Sequence, residues 1–64
     1  MDKLLLTATE AAEVLGIGRT KVYELLRVGA IESVRVGKAR RIPATALQEY
    51  VGWLRAEASG YEVA

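Results

Sequence analysis

The chain has 64 residues, of which 52% are apolar, and contains neither cysteine nor histidine. A chain of this length is expected to form one domain and to bury only about 60% of its unfolded surface, so its stability must come from the apolar residues. Without cysteine or histidine it has no disulfide, no thiolate or imidazole metal site and no histidine base. No apolar run is long enough for a membrane span or a signal peptide, and we expect a cytoplasmic protein.

Charge is segregated along the chain, although the net charge is only +1. Residues 19–41 contain seven basic and two acidic side chains, a local charge of +5, whereas the remainder has a local charge of −4. Such a field orients a protein on a polyanion even when the total charge is small. A solvated basic face is the alternative that charge clustering alone leaves open.

The first predicted element is a helix over residues 8–15. Thr7 and Glu10 have the spacing of a capping box, in which each side chain accepts a hydrogen bond from the other residue's backbone amide. Apolar residues follow at helical spacing. Gly16 ends the helix, because only glycine adopts the left-handed conformation without penalty.

A second helix is predicted over residues 19–28, after a short turn that begins and ends with glycine. Val22, Leu25 and Leu26 form its apolar stripe, and Gly29 ends it. Two short helices joined by such a turn are the helix-turn-helix pattern, although an ordinary helical hairpin has similar spacing.

A β-hairpin is predicted next, over residues 33–42. Val34 and Val36 alternate with Arg35, and the break at Gly37 is short enough for a hairpin turn. A hairpin that follows the second helix is a wing. It has more cations than an edge strand needs to discourage aggregation. These cations are Arg35, Lys38, Arg40 and Arg41.

A third helix is predicted over residues 43–57, with Pro43 at its first position, where the missing N–H costs nothing. Its apolar face consists of Leu47, Tyr50, Val51 and Leu54, with Trp53 at the margin. Residues 59–64 show no periodicity, and we expect them to fray. The predicted fold class is therefore mainly α with a small β-hairpin, a winged helix-turn-helix in a single domain.

The outward side of the second helix is the predicted DNA-reading surface. A recognition helix in the major groove reads base edges mainly with its N-terminal half. Arginine can pair with guanine through two hydrogen bonds, glutamate can accept from cytosine N4, and lysine or a tyrosine hydroxyl suits a phosphate. The residues of this surface are Arg19, Thr20, Lys21, Tyr23, Glu24 and Arg27.

Two of these side chains have an alternative structural role. Glu24 can form an ion pair with Lys21 or Arg27 on the helix surface, and Tyr23 can belong mainly to the core. The arginines of the wing are expected to reach phosphates or the adjacent minor groove, where narrow A·T tracts attract arginine. No catalytic constellation is visible, so we predict no enzyme, no cofactor, no metal and no small-molecule substrate.

In their order and spacing these motifs resemble the excisionase family of DNA-binding domains, which is related to the winged helices of MerR-type regulators. The resemblance covers about residues 6–54. Its diagnostic pieces are Thr20-x-Val22-Tyr23, Gly29 and the wing that ends in Arg40-Arg41-Ile42. It implies a recombination directionality factor, which binds and bends DNA beside a phage or plasmid attachment site so that a separate integrase performs excision.

The resemblance also implies partners and leaves alternatives open. It implies an integrase partner and head-to-tail association on double-stranded DNA in a bacterial cell, with Trp53 and Tyr61 as candidate protein contacts. Trp53 can equally cover the edge of the core. Gly18 departs from the family, where many relatives have a capping side chain, and Glu24 occupies a position that is often basic. The alternative functions are a small transcriptional regulator that uses the same DNA-binding surface and a protein-interaction adaptor.

Overall fold

Three helices and three short strands make up the structure, a computed structural model that describes the backbone of residues 3–63 and the side chains of residues 3–58. The predicted fold class, a mainly helical winged helix-turn-helix, is confirmed. Within the described residues no helix combines the length and apolar character needed to cross a membrane. In chain order the elements are β1 Leu5–Leu6, α1 Ala8–Leu15, α2 Arg19–Arg27, β2 Val34–Val36, β3 Ala39–Pro43 and α3 Ala44–Val63.

The ends of α1 are set by the residues that the sequence indicated. Thr7 Oγ1 accepts from the Glu10 amide at 3.1 Å, and Glu10 Oε1 accepts from the Thr7 amide at 2.9 Å, which completes the capping box. Gly16 has a φ of 71°, and the next amide, of Ile17, reaches back to the Ala12 carbonyl at 3.0 Å. Both boundaries of this helix are confirmed.

The second helix begins without a side-chain cap and ends in a glycine motif. Gly18 is its N-cap and contributes only its carbonyl. The helix ends at Arg27, one residue before the predicted position. Gly29 has a φ of 79°, its amide donates to Leu26 O at 3.2 Å, and the Ala30 amide donates to Leu25 O at 2.9 Å. This pair of bonds is a Schellman motif.

The sheet has three strands, whereas the sequence predicted only a two-stranded hairpin. Strand β3 lies between β1 and β2, and both pairings are antiparallel. Leu5 and Leu6 of β1 are opposite Pro43 and Ile42. A two-residue strand is too short to show alternation, which is why the sequence did not reveal it.

Pro43 ends β3 and does not open α3, contrary to the prediction. Its fixed φ of about −65° is compatible with a helix start or with a strand end. The pairing with Leu5 decides between them, and the Ala44 amide donates to Leu4 O at 2.8 Å directly after it. The third helix therefore begins at Ala44.

One apolar core joins the first two helices, the sheet and the start of α3. The stripe of Val22, Leu25 and Leu26 is buried as predicted, and Ile17 packs on the core from the turn. The buried residues are Leu6, Ala11, Ala12, Val22, Leu25, Leu26, Ile31, Ile42, Ala46 and Leu47.

The apolar face of α3 is only partly buried, which corrects the prediction. Leu47 is buried and Tyr50 is half-buried, but Val51 and Leu54 are 40% and 42% exposed. The helix runs past the end of the core and continues to Val63 instead of residue 57. The fraying of residues 59–64 stays a prediction, and their side chains lie outside the described residues.

We predict opposite effects of alanine at two glycines. Gly29→Ala should lower the free energy of unfolding by about 1 kcal/mol, because a Cβ is unfavourable at a φ of 79°. Gly52→Ala, inside α3, should raise it by about 0.5–1 kcal/mol. A Cβ would meet no atom within 4 Å at either site, so the contrast isolates backbone conformation. Urea denaturation measures both values, and stabilisation by Gly29→Ala would contradict the assigned turn.

A second prediction concerns the stability of the protein at acidic pH. The hydrogen bond from Lys3, with that from the Thr7 amide, lowers the pKa of Glu10 from 4.5 to about 2. A depressed folded-state pKa stabilises the protein above pH 4.5, and this contribution is lost as the pH falls through about 2. As the pH is lowered from 4.5 to about 2, the Tm of the wild type should therefore fall more than the Tm of Glu10→Gln. Glu57→Gln, on α3, is the control and should follow the wild type.

Candidate nucleic-acid interface

The second helix presents the predicted contact residues to solvent. With its apolar stripe turned into the core, Arg19, Thr20, Lys21 and Arg27 are exposed. Tyr23 is 54% exposed, so the alternative that it belongs mainly to the core is not supported. These five exposed side chains therefore project from one short helix.

Glu24 differs from its neighbours because it is half-buried. The alternative of an ion pair with Lys21 or Arg27 is not formed: among the described residues, the ion pair is Lys3–Glu10. The carboxylate of Glu24 is therefore not neutralised by a cation of its own helix. Its proposed contact with a base stays a prediction.

The wing is a hairpin with a two-residue turn. Val36 is opposite Ala39, and the turn between them is Gly37-Lys38, with a φ of 63° at Gly37 and no positive φ at Lys38. Glycine at the first central position is typical of a type II′ turn. Val36 is 55% exposed, so the alternation in β2 does not bury it. The hairpin extends beyond the core and carries Lys38 at its tip.

Two arginines of the wing lie directly opposite each other. Arg35 and Arg40 are cross-strand partners in the register of β2 and β3. Like charges in this position disfavour the strand pair unless an anion lies between or beside them. Arg40 Nε donates to Ser33 Oγ at 2.9 Å, and Arg41 Nη1 donates to Arg40 O at 2.9 Å, so the wing itself orients both return-strand arginines.

A cleft of about 210 Å³, which we call the wing cleft, joins the wing to the helices. It brings Tyr23 of α2 to the same cavity as Arg40 and Arg41, beside the N-terminus of α1. The positive charge of the cleft comes from the two guanidinium groups, because the Glu10 carboxylate of the capping box already offsets the partial charge of the helix N-terminus. This arrangement suits a phosphate. The cleft is lined by Thr7, Ala8, Thr9, Tyr23, Leu26, Arg40, Arg41 and Ile42.

The sequence did not reveal Thr7 and Thr9 as candidate contact residues. Thr7 was recognised only as a helix cap, and nothing in the local pattern around Thr9 indicates a neighbouring wing. The pairing of β1 with β3 brings the start of α1 beside the wing. No sequence signal could have shown this without the register of that strand pair.

Other predicted site residues lie apart from the wing cleft. Arg19 and Arg27 are at opposite ends of α2, about 12 Å apart along the axis at 1.5 Å per residue. Trp53 is 57% exposed on α3 and lines a different cavity. The side chain of Tyr61 lies outside the described residues, so its predicted contact is not placed.

Comparison with known proteins identifies the family to which the chain belongs. Residues 5–52 match the family described as a helix-turn-helix domain. A protein named "Probable excisionase" from Saccharopolyspora erythraea is 53% identical over 58 residues, which are 91% of this chain and 59% of that protein. The chain therefore spans about three-fifths of the length of this relative. An "Excisionase" from Streptomyces ambofaciens is 38% identical over 47 residues, 73% of this chain and 76% of that protein. No solved structure matches the chain.

Proposed function

The chain belongs to the excisionase family of helix-turn-helix proteins, and we propose that it binds and bends attachment-site DNA to direct an integrase towards excision. The observation that carries this proposal is the wing cleft, in which Tyr23 of α2 lies beside Arg40 and Arg41 of the wing. A helix suited to the major groove and a basic hairpin suited to the flanking backbone thus form one continuous surface.

In this proposal α2 reads the bases. Arg19 and Arg27 are exposed and can each pair with a guanine, while Thr20 can contact a thymine methyl group or a phosphate. Lys21 and the hydroxyl of Tyr23 contact phosphates and set the register of the helix on the duplex. Glu24 accepts from a cytosine amine, an assignment supported by the absence of a cation partner among the described residues.

The wing binds the DNA backbone. The opposed guanidinium groups of Arg35 and Arg40 repel each other in the unbound protein, and a phosphate or the electronegative minor groove relieves this repulsion. Lys38 extends the contact from the hairpin tip. The hydrogen bond from Arg40 to Ser33 restricts the arginine before DNA arrives, which lowers the entropy lost on binding.

The excision chemistry belongs to the integrase. We propose that this protein provides no nucleophile, base or metal site and contributes binding energy that offsets the deformation of the duplex. Copies on direct repeats would associate head to tail through unlike surfaces, an open arrangement. Trp53 and Tyr61 are the proposed protein contacts, and the protein acts in the bacterial cytoplasm, on the nucleoid when bound.

The proposal is tested in two stages with the same protein. Fluorescence anisotropy with attachment-site duplex should show log affinity falling linearly with log salt, at about 0.9 per phosphate contact. Addition of the protein to a purified integrase and its attachment-site DNA should then increase excision and decrease integration. No binding to any duplex at low salt would refute the DNA-binding role. Binding without an effect on recombination, but with regulation of a nearby promoter, would identify a transcriptional regulator instead.

The division of roles between helix and wing gives a further prediction. Arg27→Ala should cost about 1–3 kcal/mol on the preferred site and relax sequence preference, because a base contact is lost. Lys38→Ala should weaken binding to all sequences alike and reduce the salt slope by about one unit, because a phosphate contact is lost. Anisotropy on specific and scrambled duplexes measures both. A changed preference with an unchanged slope in Lys38→Ala would contradict the assignment.

A further inference from the structure

A second cleft, which we call the acidic cleft, lies between the turn after α2 and the middle of α3. Its volume is about 410 Å³, nearly twice that of the wing cleft. Small residues at 29–30 leave the space open, and none of the residues that line it is basic. Four side chains determine its chemistry, namely Glu32, Glu49, Tyr50 and Trp53.

The aromatic side of the acidic cleft is a stacked pair. The rings of Tyr50 and Trp53 have centroids 6.3 Å apart and planes inclined by 19°. Tyr50 packs against the core, whereas 57% of Trp53 is exposed. Tryptophan and tyrosine are prominent among the residues that dominate protein interfaces, because each buries a large area while losing little conformational entropy. The stacking with Tyr50 restricts Trp53 further.

The acidic side consists of two exposed carboxylates from different elements. Glu32 comes from the loop before β2, and Glu49 comes from α3. Neither forms an ion pair within the part of the chain that the structure describes. Carboxylates accept hydrogen bonds from a guanidinium group in pairs, and aromatic faces attract the same cation. Both sets of groups in this cleft therefore fit one ligand chemistry, an arginine or lysine side chain.

We propose that the acidic cleft binds a cationic segment of a second protein held on neighbouring DNA. This choice of partner rests on the proposed function, in which the seven cations of α2 and the wing face DNA. A second copy could then offer the cleft only Arg55 and Lys3, and Lys3 is paired with Glu10. The cleft adjoins Gly29 and Ala30, in the turn after α2, and none of the residues that we assign to DNA contact lines it. A partner at the adjoining site can therefore reach the cleft while DNA is bound.

Trp53 is the one tryptophan of the chain and reports directly on the cleft. The probe is a capped pentapeptide with two arginines, titrated into the full chain without DNA. We expect a saturable change in Trp53 fluorescence. Glu32→Gln combined with Glu49→Gln should weaken peptide binding by about tenfold, as expected for two exposed charge pairs. Glu57→Gln, which removes a charge from α3 outside the cleft, should bind the peptide as the wild type does.

The outcomes separate this inference from the proposed function. No fluorescence change at millimolar peptide, or an equal change with a peptide carrying glutamates in place of arginines, would overturn the cationic ligand. If Trp53 fluorescence depends on protein concentration alone, and Lys38→Ala abolishes that dependence, the occupant is a second copy and the proposed partner is wrong. DNA binding by the double variant is measured in parallel by anisotropy. The double variant should bind DNA as the wild type does, and a wild type that binds DNA but does not respond to the peptide refutes only the acidic cleft.

Discussion

The pairing of β3 with β1 is the constraint on which the rest of the structure depends. Ile42 of β3 is almost completely buried, and its partner across the strands, Leu6, is buried with it. This contact brings the beginning of the chain, the return strand of the wing and the start of α3 to one place in the core. Because Arg40 and Arg41 directly precede Ile42 on β3, burial of Ile42 also determines where the side chains of these two arginines can reach.

A small core leaves most of the surface to charged residues, and the fold separates their signs. The structure contains no buried polar or charged side chain among the described residues. The apolar residues can therefore provide the packing while the cations of α2 and the wing remain available for a ligand. The direct opposition of Arg35 and Arg40 is disfavoured by strand pairing alone, and in the proposed complex with DNA a phosphate would compensate for it.

The two clefts have opposite electrostatic character and are lined by different elements of the fold. The wing cleft combines two arginines with the N-terminus of α1, and the acidic cleft combines two carboxylates with an aromatic pair on α3. The separation of charge in space does not simply follow the chain, because Glu32 of the acidic cleft comes from the net basic segment 19–41. This separation would serve the proposed binding of DNA on one surface and of a cationic partner on another, because mixed charges would weaken both contacts.

The sequence by itself determined the first two helices, the capping box of α1, the glycine that follows α2 and the basic character of the wing. The capping box at Thr7, the glycine motif at Gly29 and the buried stripe of α2 depend on residues within one or two turns of each other, so their spacing was sufficient. Only the tertiary structure decided the strand at Leu5–Leu6, the role of Pro43 and the joining of Tyr23 to the wing arginines. These features depend on contacts between distant parts of the chain, which leave no periodic signal in the local sequence.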